Sequence, residues 1–300
     1  MIVTCGEAMV DLIPQGDGED AVYKPVPGGS LYTVALGIAR LGGRVGYLWE
    51  LSNDTLGNNL MAALNRAGVD CTWVVRSARP TPVAVVDMSG EEPRYLIADP
   101  GAVMKDTPLG PLPDGTECFQ VGSAVLAVEP VGSVIEAAAR GAPLVSLDIN
   151  ARAPSINDAS AYRERLRRVS SNSGIIKASS ADIALIGEGD PGEYMLERIE
   201  DGAALAILTD GDRGAFAFTQ KHRVHRPAVA RDVVDPVGAG DSFMAAALFQ
   251  LQSKDLLSAA ALRSMDAQDL SALLDFSQKA AAFTCARHGA AMPAPGDLPC

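Results

Sequence analysis

An α/β fold with a mostly parallel sheet flanked by helices is predicted by three features of the chain. From residue 117 onward, short apolar runs alternate with helical stretches: CFQVGSAVLA, helix Val131–Arg140, PLVSLDIN, helix Tyr162–Val169, GIIKAS, helix Ala181–Ile186 and ALAILTD. Such alternation places strands side by side in parallel, with helices covering both faces. Hydrophobic residues make up 48% of the 300, enough for one sizeable core. Third, Val233–Gln250, VVDPVGAGDSFMAAALFQ, reads as strand end, glycine loop and buried helix. Pro236, Gly238 and Gly240 forbid regular helix before Asp241, and good helix formers follow it.

The earlier elements read in order. Ile2–Cys5 is a short buried strand, and GEAMVDLIP follows. Asp11 stands among Val10, Leu12 and Ile13, either as a capped turn residue or as a carboxylate at the C-terminal end of a strand, where open α/β sheets bind ligands. After a polar stretch at 15–27, Ser30 caps a helix whose Leu31, Val34, Ala35, Ile38 and Leu41 share a face, and Gly42–Gly43 end it. Gly28 and Gly29 before it permit a ligand to touch backbone. Gly46–Glu50 reads as a strand, DTLGNNLMAALNRAGVD as a helix closed by Gly68, and Val83–Asp87 with Arg94–Ala98 as a hairpin turning at Ser89–Gly90. LTDGDRGAFAF is strand, glycine turn and strand; His222 and His225 lie on a solvent-facing hairpin; Leu270–Cys285 is the last helix. Gly187, Gly189 and Gly192 spell G-x-G-x-x-G, but they follow a helix and carry Glu188, Asp190 and Pro191 where a pyrophosphate would sit, so they read as a solvent loop.

Charge and cysteine usage narrow the function. The net charge of −12 and the lack of a basic block beyond Arg163–Arg168, itself a solvated helix face, argue against a nucleic-acid partner. Cys5, Cys71, Cys118, Cys285 and Cys300 are scattered without a C-x-x-C pair, which fits a reducing cytoplasm rather than a disulfide framework or zinc site. Glu7 and Asp11 occupy the place of the basic region a secretory leader would carry, and no apolar run approaches the ~18 residues of a membrane helix. A small, locally held anionic ligand is expected. The glycine loop supplies its site: helix-start N–H groups lack internal partners, the dipole makes that end positive, and Gly238 and Gly240 allow close approach. Asp241 beside it suits removal of a proton from a hydroxyl attacking phosphorus; an ordinary cap is the plainer alternative.

DPVGAGD before an Ala-rich helix resembles the D-T-x-G-A-G-D motif of the PfkB (ribokinase-like) carbohydrate kinases, with Pro236 in place of the usual Thr. The resemblance implies Asp241 as catalytic base and Gly238, Ala239 and Gly240 as the anion hole. GGSLYTVALGIARLGG resembles the family's first motif, GG-x-x-x-N-x-A-x-x-L-A-R-L-G, matching at Gly28, Gly29, Ala35, Ala39, Arg40, Leu41 and Gly42. Thr33 replaces the sugar-contacting Asn, which unsettles the identity of the substrate. The resemblance further implies Asp11, Asn150 and Arg152 (in DINARAPSI) as sugar ligands, and Lys177, Ser179, Thr209, Gly211 and Gly214 around the nucleotide. It places Asp182 of KASSAD on Mg²⁺ through water. Asp235, with the ARHGAA ending, takes part in a monovalent-cation (K⁺) site.

Over residues 2 to about 292 the likeness implies one ribokinase-like domain, 1–300, with lid strands from about 12–27 and 82–98 and a variable 252–269 segment beside the nucleotide. GEAMVDLIP, VEP at 128–130, DINAR and the K-x-S variant together look most like bacterial fructokinases. The implied activity is ATP- and Mg²⁺-dependent phosphorylation of a sugar by a cytoplasmic enzyme with no nucleic-acid or membrane partner, with a homodimer allowed. The rival substrates are 2-keto-3-deoxygluconate, another sugar or a nucleoside. A catalytically weak sugar sensor is a further alternative, and an oxidoreductase lacks a dinucleotide fingerprint.

Overall fold

The computed structural model describes residues 1–16, 22–87, 94–98, 109–229 and 232–298. In chain order its strands and α-helices are β1 Ile2–Thr4, β2 Met9–Gln15, β3 Val22–Gly28, α1 Ser30–Arg40, β4 Val45–Tyr47, β5 Glu50–Ser52, α2 Thr55–Ala67, β6 Val75–Ser77, β7 Val83–Asp87, β8 Arg94–Ala98, β9 Cys118–Gly122, α3 Val131–Ala139, β10 Val145–Asp148, α4 Ala159–Ser170, β11 Ile175–Ser179, α5 Ser180–Ile186, α6 Pro191–Glu200, β12 Leu205–Thr209, β13 Ala215–Phe218, β14 Arg223–Arg226, α7 Ala239–Ser253, α8 Ala259–Ser264 and α9 Ala267–Cys285.

Eight strands form the main sheet in the order β14-β13-β12-β11-β10-β9-β1-β4. The six from β12 to β4 run parallel, and β13 and β14 extend the edge as antiparallel strands. Central strands such as Cys118–Gly122 are buried throughout, as a sheet covered on both faces requires. Helix α7 packs against both α1 and α9. Its apolar residues are buried almost all round, and Ala245 abuts Gly37 of α1.

The segments expected to form a lid pair as a separate four-stranded sheet, β3-β2-β7-β8. Its hairpin aligns Asp87 with Arg94, as the alternation predicts, while the Ser89–Gly90 turn lies outside the described residues. Val22, Tyr23 and Leu96 on this sheet are exposed.

Five local expectations need correction. Gly46–Glu50 is not one strand: the chain leaves the main sheet after Tyr47, because its partner β1 ends at Thr4, and β5 pairs with β6 instead. Asp11 is not at the end of a main-sheet strand. It sits inside lid strand β2, opposite Val26, because the chain quits β1 at Cys5 and re-enters pairing at Met9. Ser30 does not cap α1; Gly29, at φ 94°, is the cap residue and Ser30 is the first helical residue. Helix α7 begins at Ala239 rather than after Asp241, since a helix's first turn has no internal N–H acceptors and tolerates Gly240 there. Val233 and Val234 are exposed loop residues, not a strand end. The Gly187–Gly192 stretch is the left-handed cap of α5 followed by the Asp190-capped start of α6, with no strand before it.

Candidate active site

Parallel strands deliver their C-terminal ends to one edge of the sheet, and the site residues gather there. Register sets Gly122, Asp148 and Lys177 side by side on β9, β10 and β11, and Ser179 beside Thr209 on the next pair. Asn150 and Arg152 follow β10 directly. Asn150 takes the left-handed conformation at φ 39°, which Asn tolerates better than most residues.

Asp241 is at the centre, in the first turn of α7 and 9% exposed. Its Oδ1 accepts hydrogen bonds from Ser30 Oγ at 2.6 Å and Asn150 Nδ2 at 3.2 Å. Asn150 Nδ2 also donates to Ser30 Oγ at 2.7 Å, closing a triangle. Burial pushes the Asp241 carboxyl up; Ser30, Arg152, Lys177 and Asn150 pull it back, and burial prevails. The glycine loop beside it is open: Gly240 is exposed, and Gly238 takes φ 79° as the helix cap. A side chain at Gly238 would overlap Ala290, so the ARHGAA segment lies directly on this loop. The Ala239 N–H donates to the Pro236 carbonyl at 3.2 Å, so it closes the turn and is not free for an anion. Gly240's N–H lies in the first turn, where the helix offers no acceptor. Lys177 Nζ stands beside Gly240, 3.7 Å from where a Cβ there would sit, and adds positive charge to the same mouth.

Lys177 is also half of a buried ion pair. Its Nζ is 2.9 and 3.0 Å from the two Asp148 oxygens. Burial raises Asp148 to about 6, against the pull of Lys177. An ammonium has three donors, and two go to Asp148.

On the lid side, Asp11 faces Asp241 and Arg152 electrostatically. Burial, then the Asp241 charge, raise it to about 7, and Arg152 opposes them. Its Oδ1 has no partner among the described residues. A side chain at Gly28 would overlap the Asp11 carboxylate, so the glycine is what lets β3 cross this group. Gly29 caps α1, and Thr33, one turn further on, is buried.

Asp182 and Asp235 are both tied into the protein. Asp182 Oδ1 accepts the Ala151 N–H, and Oδ2 accepts the Ser179 N–H and Oγ, each at 2.7 Å. This is a capping box that also clamps the Asn150–Arg152 loop onto α5. A carboxylate has about four acceptor sites, so one remains. That fits a single contact to a metal-bound water and not direct chelation. Among the described residues no three His, Cys, Asp or Glu side chains converge on a metal position. A divalent cation here would come with the phosphates of its nucleotide and water ligands. Asp235 accepts the Val237 and Gly289 N–H groups at 2.9 and 2.8 Å, stitching the glycine loop to the C-terminal segment.

Thr209, Gly211 (φ 52°) and Gly214 (φ 94°) lie together in the β12–β13 turn, one strand beyond Ser179. His225 stacks on Phe216 and bonds the Arg213 carbonyl, so it supports this turn rather than ligating a metal.

Sequence reasoning missed three residues. Glu7 was informative only as an acidic residue near the N-terminus. Its Oε1 accepts Ser123 Oγ at 2.5 Å and the Ser30 N–H at 3.3 Å, and its Oε2 has no partner among the described residues. Burial raises it to about 7. Ser123, at φ 62°, and Ser30 are the others. The signal available in the sequence was position for two of them: Glu7 follows a predicted strand and Ser30 a Gly-Gly pair, whereas Ser123 lay inside the run CFQVGSAVLA, whose strand ends at Gly122 in the fold.

Glu7 and Asp11 predict a pH effect on stability. Both hold protons more tightly folded (about 7) than unfolded (about 4). The folded state therefore binds more protons between those values, and stability falls as pH rises through that window. The ligand-free protein is expected to melt several degrees lower at pH 8 than at pH 6, and Glu7→Gln should shrink that difference. Thermal melts of both forms across pH 5–8 (a span about the two groups' range) check this.

The description "pfkB family carbohydrate kinase" matches residues 1–296. The chain belongs to this family. It is therefore a sugar kinase, a phosphotransferase with an alcohol acceptor that works from ATP, and its fold is ribokinase-like. It is similar to the fructokinase of Rhizobium leguminosarum bv. trifolii, 31% identical over 279 residues that cover 90% of this chain and 85% of that one. The structure of the Xylella fastidiosa fructokinase with bound ATP superimposes with a TM-score of 0.88 at 25% identity, covering 99% of this chain and 96% of the other. Aminoimidazole riboside kinase from Salmonella enterica, complexed with aminoimidazole riboside and an ATP analogue, superimposes with a TM-score of 0.83 at 26% identity, covering 99% and 98%. Among the described residues no helix is long and apolar enough to cross a membrane.

Proposed function

We propose that this kinase transfers the γ-phosphoryl group of ATP to a hydroxyl of fructose, with Asp241 as base. The observation that carries this reading is the buried Asp241 carboxylate in the first turn of α7, next to an open glycine loop and the Lys177 ammonium. The sugar O–H gives its proton to Asp241 as its oxygen bonds to the γ-phosphorus, and the bond from that phosphorus to the bridging oxygen breaks to release ADP. Charge on the transferred group is met by the α7 N-terminus, the Gly240 N–H and Lys177. Asp11, Asn150 and Arg152 hold the sugar. Ser179, Thr209, Gly211 and Gly214 line the nucleotide phosphates. The lid strands β2, β3, β7 and β8 exclude water. Mg²⁺ bound with ATP would neutralise phosphate charge, and Asp182 would hold one of its waters. Asp235 with the segment around Gly289 would serve a monovalent cation.

Thr33 and the likeness to a riboside kinase support a second reading, a ribosyl-type acceptor. An Asn amide has two donors and an acceptor, whereas Thr has one hydroxyl. One lost hydrogen bond costs roughly three- to tenfold in affinity. Fructose use is thus expected with a raised KM, and Thr33→Asn should lower KM for fructose about that much. Steady-state ADP release over a panel of fructose, other hexoses, ribose, 2-keto-3-deoxygluconate and nucleosides tests both readings. If Thr33→Asn leaves fructose unimproved and abolishes turnover of another panel member, the pocket is built for that compound.

A further inference from the structure

Ser30 is the first residue of α1, directly after the cap residue Gly29. The first N–H groups of α1 need acceptors from outside the helix. Glu7, arriving from the β1–β2 connection, accepts the Ser30 N–H. The helix start has no side-chain cap bond, and the Ser30 hydroxyl is free to bond outside its own helix. Its Oγ points across to α7 and donates to Asp241 Oδ1 at 2.6 Å, while accepting from Asn150. Ser30 is 6% exposed, so water competes poorly for that bond. Among the described residues both hydrogen bonds to the Asp241 side chain end on Oδ1, and Oδ2 receives none.

We infer that Ser30 is a positioning residue for Asp241: with Asn150 it pins one carboxylate oxygen and leaves Oδ2 as the oxygen that receives the sugar's proton. This rests on the reading of Asp241 as the base. A carboxylate held through one oxygen keeps a single rotamer, and the second oxygen keeps a fixed direction toward the acceptor hydroxyl. Without Ser30 the carboxylate loses a charge-assisted bond. It becomes more basic, which by itself would not slow proton removal, but it also loses its aim. The two consequences have opposite signs on rate, so kinetics can tell them apart.

The experiment compares the full-length wild type, Ser30→Ala, Ser30→Cys and Asp241→Asn on the panel sugar that releases most ADP. Ser30→Ala is expected to lower kcat roughly ten- to hundredfold with both KM values within about twofold. The acidic limb of its kcat–pH profile should move up by about one pH unit, because a donor to the charged form is gone. The charged groups facing Asp241 are Asp11 from β2, Asp148 from β10, Arg152 after it and Lys177 from β11, and all are retained, so the limb reports on Ser30. Ser30→Cys preserves volume but donates weakly, so it should behave like Ser30→Ala. It also serves if the alanine variant fails to fold. A normal kcat with an unmoved limb in either variant overturns the inference. So does a Cys variant with wild-type kinetics beside an impaired Ala variant, since that makes Ser30 a packing residue. Substantial turnover by Asp241→Asn removes the base assignment and this inference together. An inactive Asp241→Asn with a normal Ser30→Ala removes only this one.

Discussion

Asp241→Asn should lower kcat by ~10²–10⁴-fold, with ATP affinity nearly unchanged. The side chain keeps its shape and can still meet Ser30 and Asn150, both of which bond only Oδ1. What it loses is the ability to accept a proton. Binding should persist because the groups proposed to meet the phosphates, the α7 N-terminus and Lys177, are untouched. Isothermal titration with a non-hydrolysable ATP analogue, alongside steady-state ADP release at saturating sugar, separates the two quantities. Near-normal kcat in this variant would remove Asp241 from its assigned role. A large loss of nucleotide affinity with kcat retained would instead make it a nucleotide-site residue.

Lys177→Met should be the most destabilising single change near the site, by about 3–5 kcal/mol. Lys177 and Asp148 are 3% and 1% exposed, and the ammonium spans both carboxylate oxygens. Removing the cation leaves a buried carboxylate with its main counter-charge gone. Asp148 already sits at about 6 through burial, so it would climb further and hold a proton at neutral pH. The loss should therefore be smaller at pH 5 than at pH 8, because protonation relieves the unpaired charge. Asp148→Asn in the Lys177→Met background should recover much of the stability, since removing both charges avoids the penalty of leaving one. Urea unfolding of wild type, Lys177→Met and the double variant at both pH values checks this. The double variant should remain poorly active, as Lys177 also faces Gly240. Equal stabilities for wild type and Lys177→Met at pH 8 would show that the pair contributes nothing.

Local chemistry made several parts of this protein legible in the sequence alone. Strand–helix alternation after residue 117 reflects the two periods of buried strands and one-sided helices, and it specified the parallel sheet. The hairpin of Val83–Asp87 with Arg94–Ala98 followed from β-rich runs around a turn. DPVGAGD marked the glycine loop because only small residues permit that backbone beside a helix start, and the buried helix after it was plain from composition. The likeness of whole motifs identified the kinase family, which the comparison over residues 1–296 shows.

Tertiary structure decided how those pieces meet. No local rule says that Gly46–Glu50 splits between two sheets; strand length is set by the partner, and β1 is short. Asp11 reads as a strand-end residue until the lid sheet forms and places it inside β2. Ser30 reads as a helix cap in the sequence, but in the fold Gly29 takes the cap position, Glu7 accepts the Ser30 N–H, and the Ser30 hydroxyl reaches Asp241, 211 residues away. Asp182 is a first-turn acid by sequence, yet in the fold it clamps the Asn150–Arg152 loop. In each case the residue type determined which bonds were available, and long-range packing chose among them, because a buried polar group takes whichever partner the surrounding elements bring within reach.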